Sequence, residues 1–96
     1  MLSATEQIDG LRGMVTTLQD QAALGQGQSN SLLKKLETAK TALDQGRLKV
    51  AYSMVGGFRS EVTSLVATGV LTPAKAGPLL SAADSLSQSL RTGGGF

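Results

Sequence analysis

The stretch Leu48-Lys49-Val50-Ala51-Tyr52-Ser53-Met54-Val55-Gly56-Gly57-Phe58-Arg59-Ser60-Glu61-Val62-Thr63-Ser64-Leu65 carries the clearest period in the chain. Leu48, Ala51, Val55, Phe58, Val62 and Leu65 follow one another at intervals of three, four, three, four and three residues, which lines them up along one face of an α-helix. A half-buried strand would alternate by two, and no alternating run of β-branched residues occurs in the sequence. The segment therefore predicts a helix of about 20 residues, ended by Gly69. Gly56-Gly57 falls in its middle. Each glycine costs about 1 kcal/mol relative to alanine in a helix interior, so burial of the stripe has to outweigh them.

Towards the N-terminus the same spacing recurs. Leu32, Leu36, Ala39 and Leu43, widened by Leu33 and Ala42, form a core-facing band that closes at Asp44-Gln45-Gly46, where glycine takes up the left-handed conformation of a helix end at little cost. Before it, Ser3 and Glu6 form a capping box for a first helix with apolar positions Ile8, Leu11, Val15, Leu18 and Ala22. Gly25 and Gly27 are expected to end it. Towards the C-terminus, Leu71-Thr72-Pro73 opens a last helix, with Thr72 as N-cap and Pro73 at the first helical position, where its missing N–H is not needed. Leu79, Ala83, Leu86 and Leu90 form the fourth stripe. Pro78 predicts a delayed start or a kink near Gly77-Pro78. Four stripes separated by short breaks predict an all-α protein, a small antiparallel bundle of three to four helices with short loops. It forms one domain over residues 3–92, followed by a flexible Gly-rich tail, Gly93 to Phe96.

Ninety-six residues leave no room for an enzyme of two lobes. The chain has no cysteine and no histidine, which removes disulfides, a thiol nucleophile, an imidazole base and the usual zinc, copper and haem sites. A formal net charge of +2 is too mild to indicate a nucleic-acid binder. The first residues, Met1-Leu2-Ser3-Ala4-Thr5-Glu6, have neither the basic nor the apolar region of a signal peptide. The most apolar stretch, Leu65 to Leu71, is interrupted by Thr68 and Gly69 and falls far short of the ~20 residues that span a bilayer.

The order of these residues also resembles a known family. Ser31-Leu32-Leu33-Lys34-Lys35-Leu36-Glu37-Thr38-Ala39-Lys40-Thr41-Ala42-Leu43-Asp44-Gln45-Gly46, then Ala51, Gly57-Phe58, Val62, Gly69-Val70-Leu71-Thr72-Pro73 and Leu79-Leu80 look like the FIMAH domain. That pattern is a leucine-rich helix ending in A-x-x-A-L-x-x-G, a helix with an aromatic followed by a valine, a G-x-L-T turn, and a closing helix with paired aliphatics. The resemblance runs from about the middle of the first helix to Leu90. It implies a small helical module appended to secreted or surface-anchored bacterial hydrolases and adhesins, with no known chemistry of its own.

Among candidate sites, Lys34, Lys35, Lys40, Arg47 and Lys49 against Glu37 and Asp44 give residues 31–50 a local charge of +3. Lys34, Glu37, Lys40 and Asp44 alternate in sign at helical spacing, which reads as an ion-paired, solvated face rather than a polyanion site. Tyr52, Phe58 and Phe96 are the aromatic residues; Phe58 lies on the core stripe and Phe96 in the tail, so Tyr52 alone is a surface ring. Gly56-Gly57 allows close approach of another helix, with Gly10-Leu11-Arg12-Gly13 of the first helix as the internal partner. Ser31-Leu32-Leu33-Lys34 matches the S-x-x-K string of a serine–lysine pair, a pattern too short to indicate catalysis. No acidic loop of calcium-binding spacing is present.

The sequence thus predicts no catalytic, cofactor-binding or metal-binding residues and no enzyme activity. It points to a non-catalytic accessory or interaction module that supports or tethers a neighbouring domain or binds a protein partner, without nucleic acid or membrane insertion. Partner-binding residues, if any, are Lys34, Lys35, Tyr52 and Arg59. By the resemblance, the location is extracellular or at the cell surface, within a longer secreted protein. The alternative is a self-assembling homo-oligomer that buries the spare apolar positions Leu33, Val66 and Leu80 against copies of itself.

Overall fold

The computed structural model describes residues 4–91. They form four helices, α1 (Ala4–Asp20), α2 (Gln26–Asp44), α3 (Leu48–Ala67) and α4 (Pro73–Arg91), with no strand among the described residues. Short connections leave each helix antiparallel to the next, and α4 returns beside α1. Neighbouring helices pack α1 to α2, α2 to α3, α3 to α4 and α4 to α1, and the backbones of the diagonal pairs stay apart. The body measures 35 × 20 × 20 Å; its long axis matches helices of 17 to 20 residues at 1.5 Å rise per residue.

The stripes read from the sequence face one core. Ile8, Leu11 and Val15 of α1, Leu32, Leu36 and Ala39 of α2, Ala51, Val55, Phe58 and Val62 of α3, and Ala83 and Leu86 of α4 are completely buried. Phe58 is the largest of these side chains. Ala22 does not belong with them, being exposed. Leu33, Val66 and Leu80 are half-buried and pack against this same core, so the area expected to bind further copies is partly used by the fold itself.

The helix ends show why the boundaries fall where they do. Gly46 (φ 73) and Gly69 (φ 82) adopt the left-handed conformation just past α2 and α3. Arg47 then donates its N–H to the Ala42 carbonyl and Gly46 to Leu43; Val70 donates to Leu65 and Gly69 to Val66. This is the paired closure of a Schellman motif. The first helix ends by the same device but with alanine. Ala22 has φ 59, and the N–H groups of Ala22 and Ala23 reach the carbonyls of Gln19 and Leu18. Neither Gly25 nor Gly27 ends α1, contrary to expectation, because the backbone has already turned at Ala22. Gly25 is instead the N-cap of α2, its N–H donated to Gln28 Oε1 at 3.0 Å, and Gly27 lies in that helix. Each left-handed residue is followed two positions on by a leucine, Leu24, Leu48 or Leu71, of which Leu24 and Leu71 are buried.

At the start of α4, Thr72 Oγ1 accepts the Lys75 N–H at 3.2 Å, and Pro73 is the first helical residue. The delayed start expected from Pro78 is not found; the helix runs through it. A proline in the second turn removes only the bond to the Ala74 carbonyl, and Ala74, Gly77 and Pro78 are all exposed. Ser3 and the tail Gly93 to Phe96 lie outside the described residues.

Candidate functional site

Several charged side chains on the bundle walls tie neighbouring helices together, while the threonines Thr16, Thr17, Thr38, Thr63 and Thr68 bond back to their own helix. Arg12 on α1 reaches Asp9 at 3.5 Å and Glu37 on α2 at 3.7 Å, while Lys40 on α2 reaches back to Asp9 at 3.2 Å. Between α2 and α3, Glu61 Oε1 accepts hydrogen bonds from Lys35 Nζ at 2.5 Å and from Ser31 Oγ at 2.9 Å. Between α3 and α4, Arg59 Nε meets Asp84 at 2.8 Å. The alternating charges of α2 therefore do not pair along their own helix. Glu37 and Lys40 turn to α1, whose opposite charges the fold brings within reach.

These contacts place the four candidate partner-binding residues apart. Lys34 is exposed on α2. Lys35 is held at the α2–α3 seam by Glu61, and Arg59 at the α3–α4 seam by Asp84. Ser31, read with Lys34 as a serine–lysine string, bonds to Glu61 and accepts from Lys35 instead. Gly56-Gly57 does not receive α1, whose backbone stays clear of α3. A methyl group on Gly56, Gly10 or Gly13 would meet nothing within 4 Å. On Gly57 it would lie 3.5 Å from the Lys35 stem, so the space there serves the lysine as it reaches for Glu61.

Tyr52 is 43% exposed and stands at the end of the bundle where the first turn of α3 meets the last turn of α4. Leu48, Lys49, Tyr52 and Ser53 from α3 and Leu90 and Arg91 from α4 line a notch of about 360 Å³. Lys49 and Arg91 make no ion pair among the described residues, and neither does Arg47, which immediately precedes α3. The amides of the first turn of α3 receive no side-chain cap from Arg47 and add the positive end of a helix dipole. Arg91 also offsets the negative end of the α4 dipole. The acids along the seams are thus neutralised by their neighbours, whereas Lys49 and Arg91 stand beside leucine side chains and a single ring, with Arg47 and the unpaired Asp44 in the turn before α3. The sequence shows Tyr52 as a surface ring and Lys49 among the cations of residues 31–50, but not Arg91 beside them. Lys49, Tyr52 and Ser53 at i, i+3 and i+4 were visible as one helix face; Arg91 joins them only through the antiparallel pairing of α3 with α4.

A second depression follows the α1–α4 seam, with Met14 lining both of its parts, of about 510 and 230 Å³. Lys75 is its one charged residue. Among the described residues no group of three or more carboxylates could hold a metal ion, and no helix is long and apolar enough to cross a membrane.

Comparison with curated proteins and with solved structures gave no match. Comparison with protein families matches residues 8–88 to the FIMAH domain, a helical accessory domain of larger bacterial proteins and not a known catalytic one. The matched region begins at the first buried residue of α1 and ends in the last turns of α4, so it takes in nearly all of the core just described, and the chain belongs to the FIMAH domain family.

Proposed function

We propose that this chain is a non-catalytic helical accessory module of a secreted or surface-anchored bacterial protein, where it supports or tethers a neighbouring domain. The family match over residues 8–88 carries this reading. The chemistry of the chain supports it: without histidine or cysteine there is no ordinary base or thiol to activate a nucleophile. Ser31 and Lys35, a close serine–lysine pair, are both bonded to Glu61, which engages the lysine as an ion-pair partner and the hydroxyl as a donor rather than as a nucleophile.

Reading the encoding gene to both ends, followed by an activity assay, tests the proposal. An adjoining hydrolase or adhesin domain that keeps its turnover or ligand binding per folded molecule, but loses stability or surface retention when the bundle is removed, supports it. A gene that encodes this bundle alone overturns it. In that case, a molar mass in solution at a multiple of 9.8 kDa favours the self-assembling alternative.

A further inference from the structure

The notch between α3 and α4 has the composition of a recognition site rather than of a packing defect. Leu48 and Leu90 supply an apolar lining, Tyr52 an exposed ring face, and Lys49 and Arg91 two cations with no acidic partner among the described residues. Arg47 and the uncapped first turn of α3 add positive potential beside it, against the negative end of the α4 dipole that Arg91 faces. Elsewhere on the bundle Arg12, Lys35, Lys40 and Arg59 each pair with an acid, while Lys34 and Lys75 stand singly among the described residues. At this end Arg47, Lys49 and Arg91 outweigh Asp44, the unpaired acid that closes α2 just before Arg47, so an occupant has to bring negative charge together with apolar surface.

We propose that this notch binds an acidic peptide segment with an aliphatic anchor, inserting the anchor between Leu48, Tyr52 and Leu90 and setting flanking carboxylates against Lys49 and Arg91. The assignment rests on the accessory-module reading, since such a segment would belong to the domain the module contacts. A central apolar anchor in a pocket, ringed by charges that set orientation, is the usual division of labour at a protein–protein contact. A carboxylated sugar would satisfy the cations equally well. Its many hydroxyls would find Ser53 as the one neutral aliphatic polar side chain in the lining, and the two leucines would face polar groups, so the peptide fits better.

The probe is the synthetic peptide acetyl-Glu-Asp-Leu-Glu-Asp-amide, titrated into the 96-residue chain. Tyrosine emission reports the binding, because Tyr52 is the only tyrosine and there is no tryptophan; amide resonances locate it. The expected result is a saturable change in Tyr52 emission with shifts at residues 48–53 and 90–91. Affinity should fall about tenfold in the double variant Lys49→Gln/Arg91→Gln and fall further as salt rises. Both residues are exposed, so the variant should stay folded, melting slightly earlier for the lost charge at the α4 C-terminus. Replacing the central leucine of the peptide with glycine should also weaken binding. Equal binding of a peptide with lysines for the acids overturns the charge assignment. Saturation by an oligouronate with none by the peptide overturns the peptide assignment in favour of a sugar. No response to any probe overturns the site and leaves the accessory-module reading to be decided by the gene.

Discussion

Lys35 and Glu61 meet at 2.5 Å across the seam between α2 and α3, and the lysine stem lies over Gly57 on the way. Ser31 completes the group by donating to the same carboxylate oxygen. Lys35 and Glu61 side chains are 31% and 21% exposed, so the pair is better shielded than the surface pairs around it. Replacing Glu61 with Ala should destabilise the bundle by about 1 kcal/mol, because it leaves both the ammonium and the hydroxyl without their acceptor. Lys35→Met, which keeps the stem over Gly57, should cost less. Urea denaturation of both variants, at low and high salt, checks the order; a Glu61→Ala protein as stable as the parent would show that the contact contributes nothing.

Ala22 holds a left-handed backbone with φ 59 where the equivalent positions of the next two turns have Gly46 and Gly69. The methyl group there costs roughly 1 kcal/mol. Ala22→Gly should therefore raise the melting temperature, and Gly46→Ala and Gly69→Ala should each lower it. A thermal scan in which Ala22→Gly melts earlier would contradict the turn geometry.

Ser29 is completely buried and its hydroxyl has no hydrogen-bond partner. A buried group left unsatisfied costs about 1–3 kcal/mol, so Ser29→Ala should be neutral or stabilising, unusual for a core change. A loss of more than about 1 kcal/mol in chemical denaturation would mean that the hydroxyl is engaged after all.

Phe58 fills the middle of the core and is 0% exposed. Truncation to Ala should cost about 3–5 kcal/mol, much of what a small domain has. Calorimetry of the Phe58→Ala chain should show a broad, early transition or none; melting within a few degrees of the parent would place the core elsewhere.

The buried faces were legible in the sequence because burial of a helix imposes a period. From Leu48 to Leu65 that period was enough to give both the bounds of α3 and its inner face, and Gly46 and Gly69 marked their turns because left-handed backbone selects glycine. Ala22 breaks the same rule, so the sequence places the end of α1 at Gly25 and Gly27 instead. Pairings between helices were not legible in this way. Lys40 and Glu37 could be assigned equally to partners on α2 or on α1, and the choice depends on which helices are neighbours. Gly56 and Gly57 suggested an approach by α1, but a four-membered ring places α1 and α3 on a diagonal. The notch at Tyr52 was half visible for the same reason: Lys49 shares its helix, while Arg91 comes from the far end of the chain.

The proposed contact through the bundle surface is tested most directly by the amide spectrum of the labelled chain with the domain encoded next to it supplied as a separate protein. Shifts are expected to concentrate at Lys49, Tyr52, Ser53 and Arg91 around the notch, with the buried Leu36, Val55 and Phe58 unmoved. Spectra that superimpose at saturating partner concentration, or shifts confined to the core, would contradict it.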